Sequence, residues 1–268
     1  MAARLEDFWN ASTGTGWLGF PRMLVDKSIN DVASDFVRGK IAARVKDPAV
    51  AAKLLPHDHP MGTKRICVDT DYFETYNRDN VSLVDARDET IVEITVTGVK
   101  TSSGAEYEVD AIVFATGFDA MTGALMAIDI RSDHCALRKA WEHGPKAYLG
   151  LMVAGLPNLF TLTGPGSPSV LSNMISSNEH HVEWVSETIA YMRANDKARI
   201  EATHEAQERW AAHVNKAAHV TLFPQANSWY MGANIPGKPR VFMPYVGVNY
   251  RGKVRDAVND GYKGFALT

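Results

Sequence analysis

Residues 109–125 read VDAIVFATGFDAMTGAL, and the fold class turns on how this stretch is read. Ala111 to Ala115 is apolar without alternation, the pattern of a strand covered on both faces, as in the middle of a parallel sheet. It runs into Thr116-Gly117, a small-residue turn that a ligand could approach closely, although a plain strand-to-loop turn is the simpler reading. LPNLFTLTG, residues 156–164, is a second such run closed by a Gly-Pro-Gly turn. RICVD (65–69) and NVSLVD (80–85) are short strand-like runs, and residues 90–114 read as strands around a Ser-Ser-Gly turn. Helical spacing of apolar residues covers Ser28–Lys46, with Ser28 and Asp31 resembling a capping box. Further helices are predicted for PAVAAKLLP, Ser177–Ala194 and Thr203–Ala218, while the tail from SWYMGANIPGKPR onward reads as loop. Strands mixed with helices in this order give an α/β fold.

STGTGWLGFP, residues 12–21, places Gly14, Gly16 and Gly19 in the spacing of a dinucleotide-binding turn. Such a turn needs a buried strand before its first glycine and a helix after its second. The preceding LEDFWNAST is charged and polar, and Pro21 follows closely. Asp35, near the spacing expected for a ribose contact, falls inside a helix. A glycine-rich turn between helices is the better reading.

The chain has 268 residues, 46% hydrophobic and 22% charged, which suits a globular protein of one large or two modest domains. A net charge of −3 gives no electrostatic reason to expect nucleic acid. No membrane-spanning run or signal-peptide core is evident. Cys67 and Cys135 fit no metal or redox spacing, so a reduced, cytoplasmic protein is expected.

Isolated chemical signals are weak. Lys64-Arg65 could hold a phosphate or a developing oxyanion, though adjacent cations usually sit on a solvated surface. Ser167 and Ser169 lie outside the nucleophile-elbow pattern of hydrolases. His57-Asp58-His59 and His180-His181 lack a convincing third metal ligand.

Together, however, these stretches resemble the C-terminal portion of the Baeyer–Villiger monooxygenases of the phenylacetone and cyclohexanone monooxygenase type. The resemblance is carried by GTKRICVDTDYFETYNRDNVSLVD (62–85), DAIVFATGFDAMTGAL (110–125), GPKAYLGLMVAGLPNLFTLTGPGSPSVLSNM (144–174), TLFPQANSWYMGANIPGKPRVFMPYVG (221–247) and GYKGFALT (261–268). It implies an FAD- and NADPH-dependent enzyme that inserts one oxygen atom of O2 into a ketone, giving an ester or lactone. The implied catalytic residue is Arg65, which would stabilise developing negative charge. Lys64 would meet the 2′-phosphate of NADPH, and Trp229 with Tyr230 would meet the nicotinamide cofactor. Thr116, Gly117 and Asp119 would lie where the chain returns to the FAD domain. Ser169, Val170, Leu171 and Met174 would line the substrate pocket.

The implied fold is a partial, Rossmann-like two-dinucleotide-domain fold lacking its N-terminal FAD-binding βαβ unit. Residues 1–118 would end the NADPH-binding domain and 119–268 the FAD-binding domain, with the nucleotide fingerprints upstream of Met1. Activity would then need the missing half, for which a separate N-terminal polypeptide is one source; no nucleic acid or membrane partner is expected. The alternatives are a non-catalytic remnant or interaction module, and a flavin-dependent N-hydroxylating monooxygenase. Within the matched region, Asn178 and His180 stand where the family usually has an apolar residue and Gln.

Overall fold

The computed structural model describes residues 2–11 and 14–268, which divide into two compact units. One comprises Met1–Met23, Ser28–Met61 and Arg65–Gly117; the other comprises Leu24–Lys27, Gly62–Lys64 and Phe118–Thr268.

The first unit opens with α1 (Ala2–Ala11), a 3-10 turn at Gly14–Gly19, α2 (Lys27–Ala42), α3 (Pro48–Leu54) and α4 (Tyr72–Thr75). Ser12 and Thr13 of the glycine-rich stretch lie outside the described residues. Its glycines form a 3-10 helix between two α-helices, with no strand leading into them. Around this turn Phe8, Trp17 and Phe20 make a small aromatic core, with the Phe8 and Phe20 centroids 4.9 Å apart. Helix α2 begins at Lys27, one residue before the expected Ser28, and ends at Ala42 rather than Lys46. Asp47-Pro48 instead starts α3, where the Asp47 carboxylate accepts from the Ala49 and Val50 amides. The buried face of α2 carries Asn30, whose amide donates to Met23 O and Met61 O at 2.9 Å each and accepts from Met61 N. This full pairing makes a buried polar group acceptable there.

Next comes an antiparallel meander of β1 (Ile91–Ile94), β2 (Gly98–Thr101) and β3 (Glu106–Glu108). Every position of β1 is exposed, Ile91 by 63% and Val92 by 58%.

The run Ala111–Ala115, expected to be a buried parallel strand, forms no strand at all. Val113 is 87% and Phe114 69% exposed. A strand is defined by its ladder, and among the described residues no neighbouring strand pairs with this run. RICVD and NVSLVD are irregular for the same reason, and LPNLFTLTG has only the isolated bridge Met152–Phe160. The chain is mixed α/β, but every described strand pair is antiparallel.

The second unit holds α5 (Gly123–Ala127), α6 (Leu137–Ala140), α7 (Met174–Ala194), β4 (Ile200–Ala202), α8 (His204–His219), α9 (Tyr250–Asn259) and β5 (Phe265–Leu267). Asn173 caps α7 three residues ahead of the expected start by accepting from Ile175 N and Ser176 N. Thr203 caps α8 in the same way through Ala206 N. Strands β4 and β5 pair antiparallel, Ile200 opposite Leu267 and Ala202 opposite Phe265. The core gathers Leu151, Met152, Trp184, Ile200, Trp210 and Val254, all nearly or fully buried. Helix α9 and strand β5 arise in the tail that reads as loop by composition. No described helix is long and apolar enough to cross a membrane.

Candidate active site

Three stretches of the second unit enclose a cavity of about 490 Å³. Met121 and Leu125 come from the start of α5 and the turn before it. Phe160, Thr163, Ser169, Val170 and Met174 come from the loop leading into α7, and Trp229 from a 3-10 turn at Trp229–Met231. The walls are largely apolar, as small-molecule sites commonly are.

Local folding explains how these side chains reach the cavity. Gly150 has φ +69, and a Cβ there would meet Ser167, so the backbone passes close behind the loop. Thr161 donates to Gly150 O at 2.9 Å and Gly164 N to the same carbonyl at 3.1 Å. Ser169 is 1% exposed, with its hydroxyl 3.6 Å from Met121 Sδ and 4.0 Å from Met174 Sδ. A hydroxyl facing two thioethers has no base beside it, in keeping with its sequence context outside the hydrolase pattern. Ser167 is likewise spent on Gly164 O at 2.8 Å.

The opposite wall rests on an aromatic cluster of Phe223, Tyr230 and Phe242 with Ala218, against which Val170, Leu171 and Trp229 pack. Tyr230 is 2% exposed and stands 4.3 Å from the Trp229 ring, so it acts here as a support for Trp229. Leu171 also faces the cluster, whereas Ser169, Val170, Met174 and Trp229 line the cavity itself. Asp119 forms an ion pair with Lys238, whose Nζ also donates to Ala120 O at 3.1 Å. Asn234 donates to Phe118 O at 2.8 Å. These bonds fasten the 234–238 loop to the beginning of the second unit. Lys238, Met121 and Phe160 carry no sequence signal that would single them out.

Arg65, Thr116 and Gly117 belong to the first unit and Lys64 to the second. Arg65 begins an exposed irregular segment just after the Met61–Lys64 turn. Arg44, in contrast, is committed to carboxylates, donating to Glu74 at 2.5 and 2.6 Å and to Asp69 at 2.8 Å. No group of His, Cys, Asp or Glu that could hold a metal occurs among the described residues, and His59 simply pairs with Asp58 at 2.7 Å.

Behind the cavity lies His181, fully buried. Its Nδ1 accepts from Thr163 N at 2.9 Å, so Nε2 carries the proton and donates to Tyr250 Oη at 2.8 Å. Tyr250 in turn donates to Leu149 O at 2.5 Å. Burial, with help from His180 and Arg251, pushes the imidazole down to about 4. The unfolded chain therefore takes up this proton below about 6.5 while the folded chain resists until about 4. Stability is expected to fall as pH drops through that window, by up to about 3 kcal/mol from this group. His180 and His213, also lowered by burial, add in the same direction. Urea midpoints measured from pH 7 to pH 4.5 should fall more steeply for the native chain than for His181→Asn; parallel profiles would refute the assignment.

Neighbouring Asn178 has a buried Oδ1 without a hydrogen-bond partner, a cost that an apolar side chain there would avoid.

No family model matches the chain. It is 42% identical over 271 residues to acetone monooxygenase (methyl acetate-forming) of Gordonia sp., covering 99% of this chain and 51% of that protein. Against cyclohexanone 1,2-monooxygenase of Acinetobacter sp. it is 41% identical, covering 99% of this chain and 49% of the relative. Phenazine N-monooxygenase of Lysobacter antibioticus is 40% identical, with 98% of this chain and 49% of the relative covered. The crystal structure of OTEMO in complex with FAD and NADP superposes with a TM-score of 0.93 at 42% identity, over 99% of this chain and 50% of that one. The chain thus spans about half the length of the relatives it matches. In sequence and in fold its relatives are Baeyer–Villiger monooxygenases, and it matches about half of the length of each.

Proposed function

We propose that the chain supplies the C-terminal half of a Baeyer–Villiger monooxygenase that uses FAD, NADPH and O2 to convert a ketone into an ester or lactone. The observation that carries this reading is the cavity, where Ser169, Val170 and Met174 meet Trp229 from a stretch some 55 residues away. The resemblance implies a substrate or cofactor role for each of the four, and their common apolar space supports that reading.

The residues fit only part of such a cofactor site. No described strand enters a glycine-rich turn that opens a helix, and Gly14–Gly19 is a 3-10 helix between helices. A pyrophosphate cradle therefore has to come from another polypeptide segment. The exposed run Ala111–Ala115 fits the same account, since a complementing sheet would turn it into the covered strand its composition describes. In this reading residues 1–118 complete an NADPH-binding domain and 119–268 an FAD-binding domain.

Bound FAD, reduced by NADPH, supplies the oxygen-activating chemistry. The chain's own residues bind and orient. Lys64 offers a point charge to the 2′-phosphate of NADPH, and Thr116, Gly117, Asp119 and Trp229 border the cofactors. Arg65 offers a guanidinium to negative charge developing on the ketone oxygen. The apolar walls of the cavity suit an apolar ketone body and keep water from it.

A second reading, oxidation of a ring nitrogen, is favoured by the 40% identity to phenazine N-monooxygenase. Co-expression with the N-terminal half of cyclohexanone monooxygenase separates the two. The complex is expected to be yellow and to oxidise NADPH in a cyclohexanone-dependent way with lactone formation, while the chain alone is colourless. Formation of an N-oxide from phenazine without lactone would select the second reading. A complex without flavin or activity would leave only a non-catalytic remnant.

A further inference from the structure

Three residues on the cavity wall, Met121, Thr163 and Ser169, have positive φ without being glycine. Thr163, at φ +50, is the most telling, because a β-branched side chain strongly disfavours the left-handed region. Such a conformation persists only when surrounding structure imposes it. The imposing contact is a hydrogen bond: the Thr163 amide donates at 2.9 Å to the Nδ1 of His181, which is fully buried. The other end of the same hydrogen-bond chain, through Tyr250 Oη, is Leu149 O, and Leu149 also has positive φ, at +55. One buried histidine and one tyrosine therefore bridge two left-handed residues, one of them on the cavity wall.

We propose that His181 and Tyr250 form a positioning pair that holds Thr163 in its left-handed conformation and thereby sets the shape of the cavity wall between Thr163 and Ser169. The direction of the chain is fixed throughout. A backbone amide can only donate, so His181 Nδ1 must accept and Nε2 must donate to Tyr250, which is left to donate to Leu149. The ring is locked in one tautomer and one orientation. The consequence for ketone binding rests on the proposed function; the positioning itself does not.

The test uses the isolated chain, labelled with ¹⁵N. In the native chain His181 is expected to show the Nε2-protonated tautomer, with a downfield, exchange-protected Thr163 amide. His181→Asn puts an oxygen where Nδ1 stands and should keep the Thr163 signal. His181→Gln reaches toward Tyr250 instead and should lose it, with at least about tenfold faster amide exchange, the factor expected when one hydrogen bond of ordinary strength is removed. Tyr250→Phe removes the acceptor for Nε2–H and should loosen the ring, while the Thr163 amide keeps Nδ1 as acceptor and the cap of α7 stays intact. Equal Thr163 signals in His181→Asn and His181→Gln, or an Nδ1-protonated ring in the native chain, would overturn the proposal. Titration with cyclohexanone then reads the consequence, and His181→Gln should bind more weakly than His181→Asn. If the native chain shows no shift with cyclohexanone, the ketone reading of the cavity fails while the amide signals still decide the positioning pair.

Discussion

In the complemented enzyme, Arg65→Ala is expected to cut ester or lactone formation by at least about a hundredfold, the usual cost of removing one preorganised group from a developing oxyanion. NADPH-driven flavin reduction should persist, because the change removes a charge from the oxygenation step and leaves the apolar cavity residues in place. Arg65→Lys should be intermediate, since an ammonium keeps the charge but loses the planar fork. Arg44→Ala is the matched control. That guanidinium is held by Glu74 and Asp69, so its loss should reduce the stability of the first unit and spare the ratio of product to NADPH consumed. Stopped-flow flavin reduction with product analysis checks both variants. Product formation near the native rate in Arg65→Ala would remove Arg65 from the site.

The largest stability loss is expected from Phe223→Ala, at about 3–5 kcal/mol. Phe223 is 1% exposed, with ring centroids 5.8 Å from Tyr230 and 5.1 Å from Phe242. Removing the ring leaves a void that a cluster pinned by three separate backbone segments can refill only in part. The damage should extend to the cavity, because Val170 and Trp229 rest on this cluster. Urea unfolding followed by tryptophan fluorescence measures the loss, with Val248→Ala, at an 84% exposed residue, as a near-neutral control. A loss no greater than that of the control would mean that the cluster does not seal the wall.

The exposed apolar surface of the first unit has a practical corollary. Ile91 and Val92 lie open on the edge strand β1, and Val113 and Phe114 on a run with no strand partner among the described residues, surfaces that favour association with other chains. The same residues that make the isolated chain prone to aggregate are the ones a complementing sheet would cover.

Helices α7 and α8 were legible almost to the residue because their determinants are local. Each amide bonds four residues back, and Asn173 and Thr203 cap within the same turn. The glycine-rich stretch was legible for the same reason, since the polar residues before Gly14 cannot form the buried strand a nucleotide turn requires. Resemblance marked Ser169, Val170, Met174 and Trp229, because long ordered motifs survive as linear text.

Tertiary structure alone decided the rest. Whether Ala111–Ala115 is a strand depends on partners far away in sequence or on another polypeptide, and no pattern within five residues can supply them. Tyr230 and Leu171 carry the same motif signal as their neighbours, yet they turn to the aromatic cluster that supports the wall. His181 looked like half of a weak metal pair; its role emerged only when folding brought Thr163, Tyr250 and Leu149 within hydrogen-bond reach. The sequence by itself determined helices α2, α3, α7 and α8 and the family likeness with its motif residues. The enclosure and the buried relay were decided by tertiary structure, because each depends on atoms that the chain brings together from distant segments.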